Sequence, residues 1–186
     1  MPVNDIVKVS RDQMNKCVDY FKTQLSKVRT GRASANLIDG VNVEYYGVPT
    51  PVSQVGSISA PDARTIIIQP FDRSIINDIE KSIRAADLGF NPQNDGTIIR
   101  IPVPPLTEER RKEFVKMCKK YAEEARVAIR NVRRDQMDIL KKEEKSKLMN
   151  EDDRKKGEEE VQKVTDEYIK QIDSILDKKE KELLQD

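Results

Sequence analysis

The chain has 186 residues, 36% of them charged and only 5% aromatic, with no Trp and no His, a profile of long, charge-laced helices rather than one thick globular core. Lacking His removes the usual general base at neutral pH and the commonest zinc ligand, and no apolar run approaches the roughly 20 residues of a membrane span. The net charge of +1 hides a segregation, +3 over residues 1–30, −2 over 31–106, +5 over 107–134 and −5 over 135–186, which points to an anionic partner met at one place rather than to general polyanion coating.

Residues 3–29 set Val3, Val7, Met14, Cys17, Phe21, Leu25 and Val28 at three- and four-residue steps, the spacing of one buried stripe on a helix roughly 40 Å long. Its end reads Lys27-Val28-Arg29-Thr30-Gly31-Arg32, where cations suit the helix C-terminus and Gly31 can supply a left-handed residue to stop it. The N-terminal Met1-Pro2-Val3-Asn4-Asp5 is neither an apolar signal core nor an Arg-rich transit peptide, so a cytoplasmic location is expected.

From about Arg32 to Pro105 the period changes. Val41 to Tyr45 alternates as a half-buried strand, Tyr46-Gly47-Val48-Pro49-Thr50-Pro51 reads as a turn, and Gln54–Ser59 and Thr65–Gln69 are further strands. Asp72 can cap a short helix whose apolar face is Ile75, Ile76, Ile79, Ile83 and Ala86, closed by Gly89. Asp95-Gly96 then turns the chain into the run Thr97 to Val103. The segment is a compact α+β unit inserted between helices.

Thr107 is placed as the N-cap of a long helix reaching about Lys147, with Glu108 and Glu109 beside the positive end of its dipole. Phe114, Cys118, Tyr121, Ala125, Ala128, Val132 and Ile139 form its seam, with Asp135 or Gln136 filling the gap. Lys112, Lys116, Lys119, Arg126, Arg130 and Arg133 follow the same steps on another face, interrupted only by Glu123. The helix is expected to fray at Leu148-Met149, and Asn150 with Asp153 begins a third helix whose seam is Val161, Val164, Tyr168, Ile172, Ile175 and Leu183. Three seams of matched period imply an antiparallel three-helix bundle.

Cys17 and Cys118 both fall on seams and read as small buried hydrophobes. The clusters Glu151-Asp152-Asp153 and Glu158-Glu159-Glu160 lack calcium-loop spacing and read as a helix start and a solvated face. Gly-x-Gly and Gly-Lys-Ser/Thr arrangements are absent, so no nucleotide site, no metal site, no cofactor and no catalytic residues are expected. What remains is recognition: guanidinium forks in fixed register on a helix suit phosphate, and Asn131 adds an amide for a base edge or ribose. Structured RNA fits this better than a DNA major groove. A plain solvated face and a helical adaptor gripping proteins are the alternatives, the latter requiring an exposed apolar groove that the pattern does not contain.

Five stretches carry a resemblance: Val28-Arg29-Thr30-Gly31-Arg32-Ala33-Ser34, Val43-Glu44-Tyr45-Tyr46-Gly47, Phe71-Asp72-Arg73-Ser74, Pro104-Pro105-Leu106-Thr107-Glu108-Glu109-Arg110-Arg111, and the run from Ala125 to Asp135. Together they resemble the ribosome recycling factor family over nearly the whole chain. The resemblance implies an L-shaped, tRNA-like α+β protein, with residues 1–30 and 106–186 as a long antiparallel three-helix bundle and 31–105 as an inserted β/α/β sandwich. It implies no enzyme but a monomeric factor that acts with elongation factor G. GTP hydrolysis by that partner drives disassembly of the post-termination ribosome into subunits, releasing mRNA and tRNA. The expected contacts with large-subunit rRNA are Arg29, Arg32, Arg110, Arg130, Asn131 and Arg133, with Arg133 foremost. Arg110 lies outside the cationic stripe and can instead pair with a neighbouring carboxylate. Neither membrane nor DNA is implied as a partner. The inserted domain is expected to face elongation factor G and to swing on a hinge at Thr30, Gly31 and Arg32 and at Val103, Pro104, Pro105 and Leu106. Tight corners in a rigid protein are the other reading of these linkers.

Overall fold

A computed structural model describes residues 1–185. In chain order the elements are α1 (Val3–Ser26), β1 (Asn42–Tyr45), β2 (Val48–Pro51), the single turn α2 (Val52–Val55), β3 (Gly56–Asp62), β4 (Thr65–Pro70), α3 (Ile76–Ala85), β5 (Gln93–Asn94), β6 (Ile99–Pro102), α4 (Glu108–Lys145) and α5 (Glu151–Leu184). They form two compact units: Met1–Arg29 with the helical segment from Glu108 onward, and Thr30–Thr107.

In the helical unit α1 and α5 both run antiparallel to α4, and each pair of helices is in contact. Ile6, Leu140 and Val161, all fully buried, make one layer across the three helices. Four residues further along each helix lie Ser10, Gln136 and Thr165, the buried polar residues of the described chain. Their polar atoms are largely met locally: Ser10 and Thr165 donate to the carbonyls of Ile6 and Val161, each at 2.8 Å. Gln136 donates to Gln13 at a long 3.5 Å.

The seams lie partly to one side of those read from the sequence. On α1 the buried line is Ile6, Ser10, Met14, Val18, Phe21 and Leu25, while Val3, Val7 and Cys17 are half-buried flanks. On α4 it is Cys118, Ala122, Ala125, Ile129, Gln136 and Leu140, while Phe114, Tyr121, Ala128, Val132 and Ile139 are half-buried. A helix touching two neighbours buries a band wider than a two-position stripe, and picking the bulkiest residues found one edge of that band. On α5 the expected seam is buried except for the half-buried Ile175, and Gly157 joins it. There a Cβ would meet Leu140 Cδ2 at 2.6 Å, so the missing side chain lets α4 and α5 approach.

Helix ends follow local rules. Rather than fraying, α4 closes with Lys147 in the left-handed region (φ 57°). Leu148 N–H donates to Glu143 and Lys147 N–H to Glu144, the paired bonds of a Schellman motif. Asn150 accepts from Asp153 N–H at 2.7 Å and starts α5. Gly31 is left-handed as expected (φ 80°), but α1 has already stopped at Ser26, so Gly31 turns the connection instead of capping the helix.

The other unit is built on a four-stranded antiparallel sheet ordered β3-β4-β6-β5 and a separate hairpin β1-β2. Alternation puts Ile66 and Ile68 of β4 and Ile99 and Ile101 of β6 into one core with Ile76, Ile79 and Ile83 of α3. The hairpin corrects the expected turn: only Tyr46 and Gly47 turn, both at positive φ (48° and 77°), and Val48–Pro51 is a strand. Its two prolines are tolerated because the sheet has two strands and therefore two free edges. The expected strand from Gln54 likewise begins only at Gly56, after the turn α2. Asp72 caps not α3 but the three-residue turn of 3-10 helix before it, Arg73–Ile75, accepting from Ser74 N–H at 2.9 Å, and α3 itself, with Ile75 at its N-cap position, has no side-chain cap. Ala86 is exposed because the helix ends one residue before it.

Candidate nucleic-acid interface

The cationic stripe on α4 lies on the flank that faces α5, and α5 answers it with a ladder of acceptors. Arg126 is held at both ends of its fork: Nε and Nη2 donate to Asp173 Oδ1 at 2.9 and 2.6 Å, and Nη1 to Glu123 Oε2 at 3.1 Å. Burial opposes its charge, but the bonds to Asp173 and Glu123 outweigh that and push its pKa up. Lys119 pairs with Glu180 at 3.9 Å and Lys112 with Glu108 at 3.0 Å. The stripe is therefore not the bare cationic face that the spacing suggests. Arg126 in particular is a latch between helices.

Farther along, the neutralisation weakens. Arg130 shares Glu123, its Nη1 donating to Oε1 at 3.1 Å, and is 46% exposed. Those two guanidinium groups, Arg130 first, hold the Glu123 carboxyl below its ordinary pKa. Arg133 is half-buried and donates through Nη1 not to a carboxylate but to the amide oxygen of Gln162, at 2.9 Å. Gln162 is itself oriented by donating to Asp166 at 2.9 Å. Arg133 Nε is buried without a partner. A full positive charge held in place by a neutral amide is what a phosphate ligand requires. Asn131, next to Arg130, is exposed.

The structure thus brings Arg130 and Arg133, three residues apart, to one flank of α4, whereas Asn131, two residues from Arg133, projects to about the opposite side of the helix. Arg110 lies about 30 Å away at 1.5 Å per residue, on the opposite flank from the stripe. Its Nη1 donates to Glu113 at 2.8 Å and its guanidinium sits 5.2 Å from the Phe114 ring centre, which is the neighbour pairing weighed for it. Arg29 is half-buried just past the end of α1, at the bundle end where α4 begins. Arg32 is exposed in the other unit. The six expected contacts therefore do not form one cluster.

Glu123 was read as an interruption of the stripe, but Gln162 and Asp173 were missed as parts of this surface, although a signal for the α5 acceptors exists. Lys119, Arg126 and Arg133 step by seven along α4, and Glu180, Asp173 and Asp166 step back by seven along α5. Antiparallel heptad-spaced charges of opposite sign pair across a helix–helix flank.

Nucleophile chemistry finds no support in the thiols. Cys118 is fully buried and Cys17 half-buried, both are free, and burial pushes both pKa values up, away from the reactive thiolate. Among the described residues no group of three or more His, Cys, Asp or Glu is placed to hold a metal ion, and no helix is long and apolar enough to cross a membrane. One apolar groove that the pattern did not reveal does exist, about 290 Å³, lined by Cys17, Tyr20, Ala125 and Ala128 between α1 and α4. It has room for a side chain or two, not for a partner helix.

Comparison with known proteins bears on the whole chain. The model of the family described as ribosome recycling factor matches residues 21–184. A ribosome-recycling factor of Nitratidesulfovibrio vulgaris is 53% identical over 184 residues, 99% of each chain, and one of Bacillus anthracis is 54% identical over 180 residues, 97% of each. A solution structure of the ribosome recycling factor aligns with a TM-score of 0.75 at 42% identity, covering 99% of this chain and 98% of the other. A chain from models of the T. thermophilus ribosome recycling factor and the E. coli elongation factor G bound to the E. coli post-termination complex aligns at 0.64 and 44% identity, covering 99% and 100%. The family name is that of a translation factor, not of an enzyme. With identity near one half maintained across essentially the full length, and long helices joined to a small antiparallel-sheet unit as in those structures, this chain belongs to the ribosome recycling factor family.

Proposed function

We propose that this chain enters the post-termination ribosome and, with elongation factor G hydrolysing GTP, splits it into subunits and frees mRNA and tRNA. The observation that carries this reading is the 44% identical relative in models that also contain elongation factor G on the post-termination complex, aligned over 99% of this chain. The helical unit supplies most of the RNA contact. Arg130, Asn131 and Arg133 lie against large-subunit rRNA, with Arg29 and Arg110 at the bundle end, and Arg32 of the other unit, as further contacts. Arg133 is the strongest of these because its internal partner is an amide, so a phosphate displaces no carboxylate from it. The Thr30–Thr107 unit faces elongation factor G. The crossings at Thr30, Gly31 and Arg32 and at Val103, Pro104, Pro105 and Leu106 act as the hinge between the working parts. The factor works as a monomer in the cytoplasm and carries no cofactor.

Binding to purified large subunits tests the RNA face. Affinity should fall with log salt in proportion to the phosphates neutralised, and Arg133→Ala should weaken binding by about 1–3 kcal/mol. Unchanged affinity in a folded Arg133→Ala variant overturns the assignment of this face.

A further inference from the structure

Within a stripe of six cations on α4 stands one acid, Glu123, and the structure shows where its charge goes. Its two oxygens are divided between two guanidinium groups, Oε2 accepting from Arg126 and Oε1 from Arg130, both at 3.1 Å. The two bonds are not equivalent. Arg126 is already saturated by Asp173 through two of its nitrogens and is only 21% exposed, so it gains little from a second acid. Among the described residues, Arg130 has Glu123 as its one carboxylate partner. Glu123 is 56% exposed, and an exposed ion pair contributes little to stability, so holding the fold together is a weak reason for this acid.

We infer that Glu123 is a built-in competitor for phosphate, which lowers the affinity of the α4 face for any polyanion and confines tight binding to sites that engage Arg133 as well. This rests on the reading of α4 as the RNA face. The physical basis is simple. A phosphate arriving at Arg130 meets a guanidinium already shared with a carboxylate, and that carboxylate stays one guanidinium width away from the incoming oxygens. Arg133, held by Gln162, imposes no such repulsion. A generic RNA duplex that reaches only the exposed Arg130 pays the repulsion without the compensating contact. A surface shaped to reach the half-buried Arg133 gains that contact and tolerates Glu123. Without Glu123, Arg130 would offer RNA of any kind an unopposed guanidinium, whereas a factor that acts and departs needs moderate affinity.

The test compares wild type, Glu123→Gln, Asp173→Asn and Arg133→Ala, full length, on purified large subunits and on an unrelated 20-base-pair RNA duplex across a salt series. Glutamine keeps the size and an acceptor oxygen, so the helix and its thermal midpoint should be unchanged. Removing one like charge about 6–7 Å from the phosphate should tighten duplex binding roughly three- to tenfold, with the salt slope steeper by about one unit. The gain on large subunits should be smaller, so that discrimination between the two falls. Asp173→Asn loosens the α4–α5 latch and should lower the thermal midpoint with less effect on duplex affinity. If Arg133→Ala weakens subunit binding but Glu123→Gln leaves duplex affinity unchanged or weakens it, Glu123 merely positions Arg130 and the inference is overturned. If Arg133→Ala has no effect on subunits, the underlying reading of the face fails first.

Discussion

Asp95 shows at the scale of a single residue how a carboxylate becomes part of the fold. Its Oδ1 accepts from the N–H groups of Ile98 and Thr97 at 2.8 and 2.9 Å, and these bonds, Ile98 first, hold its pKa below the ordinary value. Asp72 is lowered by its bonds from Ser74, and Glu80 by Arg84 and then Asn94. All three lie in the Thr30–Thr107 unit. A depressed folded pKa means stability that is fully present above the unfolded value, near 4, and lost as pH falls through the folded one. Urea unfolding of that unit, followed at pH 7 and pH 3, should show a clear loss at the lower pH. Asp95→Asn should show a smaller loss because one of the titrating carboxylates is gone. An equal loss in both proteins contradicts the role given to Asp95. The same attention to single partners separates the guanidinium groups of α4. Arg126 and Arg133 are seven residues apart on one flank, yet the first is bound by two carboxylates and the second by one amide.

At the scale of elements the clearest case is Gly157. Glycine inside a 34-residue helix costs about 1 kcal/mol relative to alanine, so on propensity alone Gly157→Ala should stabilise. The packing reverses that expectation. A Cβ at 157 would sit 2.6 Å from Leu140 Cδ2 and 3.5 Å from Val3 Cγ1, and Leu140 is fully buried, so its side chain would have to repack within the core to make room. Overpacking of this kind costs about 1–3 kcal/mol, so Gly157→Ala should lose about 1 kcal/mol net in chemical denaturation. In a Leu140→Ala background the same change should become neutral or stabilising, since the obstructing atoms are gone. A loss of the same size in both backgrounds contradicts the contact. Features of this kind also show what could be read beforehand. The caps at Asn150 and Asp72, the turn at Asp95-Gly96 and the apolar face of α3 were legible because each depends on residues within a few positions. Three features were not: the displaced seams, the strand made from Val48–Pro51 and the closeness at Gly157. Each depends on what packs against the element, and a strand containing two prolines contradicts local preference until its sheet is known to have two free edges.

At the scale of the whole molecule, family membership and the mix of long helices with a small sheet unit were legible from long motifs spread along the chain, whereas the state of the cationic stripe was not. Whether Arg126 is available to a partner is decided by Asp173, 47 residues later, and becomes readable only once α4 and α5 are aligned antiparallel with Lys119 opposite Glu180. The charge segregation between residues 107–134 and 135–186 is therefore partly internal, one helix supplying counter-ions to the next, and the RNA contact proposed on α4 narrows to the stretch of Arg130, Asn131 and Arg133. The most direct measurement is sedimentation of post-termination ribosomes after incubation with this protein, elongation factor G and GTP, wild type beside Arg133→Ala. Separation into subunits with wild type and retention of intact ribosomes with the folded variant is the expected result. Wild-type protein that binds ribosomes without splitting them, or a variant that splits them as well as wild type, would contradict the proposed recycling mechanism and its RNA-binding face respectively.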